Sequence, residues 1–94
     1  MRGTGRTALH YAALHGRSEA AEALLQLGAK PDARDARSGF TPLHLAADAG
    51  YTDVMRLLAA GGAPLDTVSL NGWSALALAV LKVRSLAEEG RVRV

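Results

Sequence analysis

The sequence predicts an all-α solenoid of two full helix-turn-helix repeats plus a degenerate third, with short finger-like turns. Three observations predict it. A block of residues recurs 34 positions further along the chain. Each copy carries apolar residues at helical spacing. Glycines and helix-capping residues stop and start each element at matching places.

The repeat is direct. Thr7-Ala8-Leu9-His10-Tyr11-Ala12-Ala13 returns as Thr41-Pro42-Leu43-His44-Leu45-Ala46-Ala47. The same shift carries Gly16 onto Gly50, Leu24 onto Leu58, Gly28 onto Gly62 and Asp32 onto Asp66. A fainter third copy opens at Ser74-Ala75-Leu76-Ala77, 33 positions after the second. The extra residue of the first interval falls among Ala36, Arg37 and Ser38.

Each element follows from its residues. Thr41 suits a helix N-cap, because its hydroxyl can accept from an early backbone N–H. Pro42 then falls at the first helical position, where its fixed φ helps. Gly50 stops this short helix by taking the left-handed conformation. Thr52 is expected to cap the second helix, with Val54, Leu57 and Leu58 as its apolar stripe. Gly61 and Gly62 end it. A connector from Pro64 to Trp73 turns at Asn71-Gly72. Repeat one reads the same way, with Ser18 as its second cap and Ala20, Leu24 and Leu25 facing inward. The boundaries are repeat one over 5–35, repeat two over 36–68, a degenerate terminal repeat over 69–89 and a frayed tail over 90–94. One unit cannot bury its own apolar faces, but stacked units can.

These residues resemble an ankyrin repeat over positions 5–82. The resemblance implies a structural pair of threonine and histidine, Thr7 with His10 and Thr41 with His44, the imidazole bridging helix starts and neighbouring repeats. Ser74 and Ala77 stand there in repeat three, so that bridge should be missing. The resemblance also implies a protein-binding scaffold that uses its fingers and first-helix faces. On this chain those positions include Arg34, Arg37, Phe40, Asp48, Trp73 and Leu81. Phe40 and Trp73 occupy equivalent places, either as binding anchors or packed over the next helix start.

Other functions find little support. Charge is +2 overall, without a clustered basic face for nucleic acid. Arg34 and Arg37 alternate with Asp32 and Asp35, which reads as a solvated loop. The sequence has no cysteine, which removes disulfides, thiolate metal sites and a cysteine nucleophile. His10 and His15 do not share a helix face, so no metal is expected. No phosphate loop, serine elbow or cofactor site assembles, so the chain reads as non-enzymatic. Glu19, Glu22, Asp48 and Asp53 read as solvated faces. The longest apolar run, Ala75 to Leu81, is too short to cross a bilayer. With no apolar stretch behind Met1–Gly5, the expected setting is intracellular, cytoplasmic or nuclear.

The last helix is anomalous. It is apolar on every side and lacks a glycine at position 83, so it should run on to about Glu89. Leu78, Leu81 and Leu86 are expected to touch something beyond this chain: a further repeat, a second copy or a partner. The partner is another protein, and a second reading makes the chain a regulatory or targeting segment of a larger enzyme or channel.

Overall fold

The computed structural model describes residues 5–88, with backbone alone at 86 and 87. Five helices follow one another: α1 (Ala8–Leu14), α2 (Ser18–Gln26), α3 (Pro42–Ala49), α4 (Thr52–Ala60) and α5 (Ala75–Glu88). The first-position helices α1, α3 and α5 lie side by side, and α2 packs on α4 behind them. Two α-hairpins, α1–α2 and α3–α4, therefore stack as the repeat requires. No helix among the described residues is long and apolar enough to cross a membrane. The frayed tail expected over 90–94 lies outside the described residues.

The core lies between the hairpins. Leu9, Ala13, Ala21, Ala46, Ala47, Val54 and Leu58 are all at most 1% exposed. The alanines allow close helix approach, and the larger side chains fill what remains. Residues at one repeat position need not share one environment. Val54 is sealed while its counterpart Ala20 is exposed, and the fully buried residue of α2 is Ala21. Ala20 is thus not inward, contrary to the sequence expectation. Val54 has the preceding hairpin to pack against, and among the described residues Ala20 has no such neighbour.

The caps divide into two kinds. Thr7 and Thr41 cap α1 and α3, each hydroxyl accepting from the backbone N–H of the histidine three residues on. Ser74 does the same for α5 through the N–H of Ala77 at 3.1 Å. Ser18 and Thr52, by contrast, are the first residues of their helices. The caps are Arg17 and Tyr51, and neither makes a side-chain capping bond. The turn between helices is too tight to leave the hydroxyl residue in an extended cap. Gly16 and Gly50, at φ of 67° and 82°, make that turn. Gly50 is the left-handed C-cap of α3.

α5 departs from the pattern. It runs for 14 residues, where α1 and α3 stop after 7 and 8. No glycine interrupts it at Val83. Leu78 faces α3 and is 7% exposed, so it belongs to the core and does not reach outside the chain. Leu81 is 43% exposed, while the side chain of Leu86 lies outside the described residues.

The cap assignment can be checked by thermal melts followed by circular dichroism. Thr41→Ala should cost about 0.5–2 kcal/mol, whereas Thr52→Ala should stay within about 0.5 kcal/mol. Equal losses would contradict it. Leu58→Ala, in the sealed core, should cost about 2–5 kcal/mol.

Candidate functional site

Two fingers and the histidines beneath them form a connected polar assembly. His44 is 1% exposed. Its Nδ1 accepts from the Thr41 backbone N–H at 3.0 Å and meets the Thr41 hydroxyl at 2.9 Å. Nδ1 is therefore an acceptor, which leaves the proton on Nε2. That N–H donates to the carbonyl of Trp73 at 2.8 Å. His10 repeats the arrangement, with Nε2 donating to the carbonyl of Phe40 at 2.7 Å. Each imidazole thus ties its own helix start to the finger of the next repeat. Both nitrogens of each ring are committed to protein partners. Ala77 stands where repeat three would need its histidine, so the series stops there.

The finger of residues 35–40 is built around Asp35. This carboxylate is 3% exposed, not the solvated loop residue its charged neighbours suggested. It accepts from the backbone N–H of Ser38 at 2.8 Å and of Phe40 at 3.2 Å. Arg6 Nε also donates to it, at 3.2 Å. Burial alone would raise its pKa. The N–H donors and the Arg6 charge outweigh that and hold it below 3.8. In the third finger Ser69 takes the same place, its hydroxyl accepting from the Trp73 N–H at 3.1 Å. This turn-closing role was missed in the sequence. Asp35 and Ser69 stand 34 positions apart, and both residue types bond the backbone of their own turn. That pairing was the available signal.

The two fingers are tied side by side. Leu70 N–H donates to Ser38 carbonyl at 2.8 Å. Arg34 reaches Gly39 carbonyl with Nε at 3.1 Å and Val68 carbonyl with Nη2 at 2.7 Å. A Cβ at Gly39 would stand 2.8 Å from Arg34 Nη2, and φ there is +70°. Glycine is what lets the arginine cross. Arg34, a candidate contact residue, is therefore a brace between fingers.

The other candidates divide. Phe40 is half-buried, with its ring stacked on His44 at 5.1 Å between centroids and 7° between planes. Trp73, its equivalent, is 41% exposed. Arg37 is exposed at the tip of the longer finger, and Asp48 is exposed on α3. Leu70 and Val68, at 66% and 48% exposure, extend the apolar surface beside Trp73. Glu19, Glu22 and Asp53 are exposed on α2 and α4. No group of three metal-ligating side chains comes together among the described residues.

This architecture has known counterparts. A family model described as ankyrin repeats (many copies) matches residues 9–59. The chain belongs to the ankyrin-repeat family. It is 40% identical over 92 residues to a glycerophosphocholine phosphodiesterase of Schizosaccharomyces pombe, covering 97% of this chain and 8% of that protein. It is 41% identical over 69 residues to human protein phosphatase 1 regulatory subunit 27, covering 73% and 44%. Human neurogenic locus notch homolog protein 4 is 43% identical over 89 residues, 93% of this chain and 4% of that protein. The chain thus spans less than half the length of each of these relatives. Ankyrin repeats are non-catalytic modules that generally mediate contacts between proteins.

Two pH effects follow from the ankyrin site. Burial lowers the pKa of His44 below 6.5, and Arg34 adds to this. The carbonyl contacts and Asp35 only partly oppose it. Its folded pKa is depressed, so the unfolded chain binds the proton more readily. The stability it contributes is full above about 6.5 and is lost as pH falls below that value. Urea midpoints should fall between pH 7.5 and 5, and a flat profile would contradict this. Asp35→Ala should cost roughly 1–3 kcal/mol, because it strips two part-buried N–H groups of their acceptor. Equilibrium unfolding measures this.

Proposed function

We propose that this ankyrin domain is an interaction scaffold that grips a partner protein through its second and third fingers and the first-helix face beside them. One observation carries the reading. Trp73, Leu70 and Val68 form an exposed apolar patch on a finger whose backbone is hydrogen-bonded to its neighbour. A rigid, aromatic, partly apolar surface loses little entropy on binding and suits a contact anchor. Arg37 adds a charged tip beside it, while Asp48 and Leu81 lie exposed on α3 and α5. Arg34 and Phe40 support this surface from within. Setting and partner follow the sequence reading: an intracellular protein ligand.

A second reading places the same surface within a larger enzyme, as a regulatory segment. The phosphodiesterase match favours it, since it runs through 97% of this chain yet only 8% of that protein. Under this reading the partner surface lies on the same polypeptide or on a regulator of it.

The test is recovery of a bound protein from lysate by the wild-type chain and by Leu70→Ser with Trp73→Ala. Each truncation should weaken a specific complex by more than about 1 kcal/mol, roughly fivefold. Circular dichroism should show both chains folded. Undiminished recovery by the double variant would rule the finger surface out.

A further inference from the structure

Three leucines occupy one position of the repeat: Leu9, Leu43 and Leu76. The first two are 1% and 3% exposed, the third 70%. One turn along, Ala13 and Ala47 are sealed, while Val80 is 52% exposed. Repeat three therefore keeps apolar side chains at positions that the other repeats cover. A terminal repeat built to face water would carry polar residues there.

The uncovered face is an open groove of about 320 Å³ between α4 and α5, lined by Met55, Ala59, Leu65, Ala75, Leu76 and Ala79. It continues along α5 past Val80 and Val83. Leu76, Ala79, Val80 and Val83 stand at i, i+3, i+4 and i+7, one helix-facing stripe. The interior of the chain shows what such a face accepts. Met55 and Ala59 are the counterparts of Ala21 and Leu25, 34 positions earlier. Ala21 is fully buried, and α4 packs on its helix α2. The end of α4 closes on Leu25, so that a Cβ at Gly61 would stand 3.1 Å from Leu25 Cδ1. The groove is the repeat-to-repeat interface continued one step further.

Charge narrows the occupant. Arg56 borders the groove and Arg84 borders the far part of the stripe. Neither has an ion pair or hydrogen bond among the described residues. Asp53 and Glu88 lie one turn away on the same helices, and Asp66 follows Leu65, but no salt bridge joins them to these arginines. The helices that occupy the second position, α2 and α4, carry Glu19 and Asp53 in their first turns.

We propose that this groove docks an acidic amphipathic helix of another protein. The helix would carry aliphatic residues at i, i+3, i+4 and i+7 with carboxylates flanking them, and would lie antiparallel to α5. A second copy of the chain fits less well. Its own stripe is bordered by Arg84 and would bring like charges together. A later helix of the same chain would reach the groove only after a return along α5. α5 runs on to Glu88 where α3 ends at the equivalent of Lys82, and so carries the backbone about 9 Å past the usual turn. This surface is separate from the fingers.

The probe is a fluorescein-labelled peptide of roughly 16 residues with leucines on the stripe, glutamates beside it and alanines elsewhere. Anisotropy against the full 94-residue chain should show saturable binding. Leu76→Asp should weaken it at least about 10-fold, and Arg56→Glu with Arg84→Glu at least about 3-fold. A scrambled-stripe peptide, and one with lysine for glutamate, should each bind at least about 10-fold more weakly. Arg37→Ala should change nothing, which separates this site from the finger surface. Circular dichroism checks the fold of each variant, and Val83→Asp repeats the test further along the stripe. Absence of binding, equal binding of the control peptides, or indifference to both aspartates would overturn the proposal. So would a concentration-dependent dimer that Val80→Asp abolishes, which would assign the groove to a second copy.

Discussion

The stack turns on one buried ring. His44 accepts from the N–H that opens its own helix and donates to the carbonyl that closes the next finger. A single neutral imidazole thus fixes the spacing between a helix start and its neighbour's loop. Each such bond contributes only about 1 kcal/mol net. Its larger role is to leave no buried backbone group unpaired where three segments meet. The identical arrangement at His10 sets the preceding step. Hairpins packed only through alanines and leucines could slide past one another. Hairpins joined through these rings keep one register.

The fingers gain their rigidity from the same economy of polar groups. Asp35 and Ser69 satisfy the turn amides from inside. Arg34 joins one finger to the next through carbonyls alone. Side chains at the tips take no part in holding the loops. Their identities can therefore follow what they contact rather than what they support. This separates a fixed backbone from a variable surface; Phe40 is half-buried on the His44 ring, whereas Ala77 offers Trp73 no such ring.

Much of this was legible in the sequence. The shift of 34 residues placed the hairpins, and Thr41, Pro42 and Gly50 placed the ends of α3. The continuous α5 followed from the lack of a glycine at Val83. Three kinds of feature were not legible. The caps at Ser18 and Thr52 failed because a helix start inside a tight turn uses the first helical residue differently from one after an extended strand. Ala20 failed because a repeat position takes its burial from its neighbour, and the first repeat has none on that side among the described residues. Asp35 failed because local charge alternation suggests solvent, whereas the turn geometry that buries it depends on Gly39 and Arg6. The candidate site was visible as a set of positions. Which aromatic faces outward was decided only by packing.

The loss of the third histidine has a mechanical meaning. Repeats in a linear array hold each other pairwise. The step from α1 to α3 and the step from α3 to α5 each have a ring beneath them. Beyond Ser74, α5 packs on α3, and Ala77, a side chain with no polar atom, offers no clamp of the kind His10 and His44 make. Among the described residues the ring-made ties therefore reach the start of α5, at the Trp73 carbonyl, and go no further. The helix with the most exposed apolar surface is thus the one whose own repeat position supplies no ring to a neighbour.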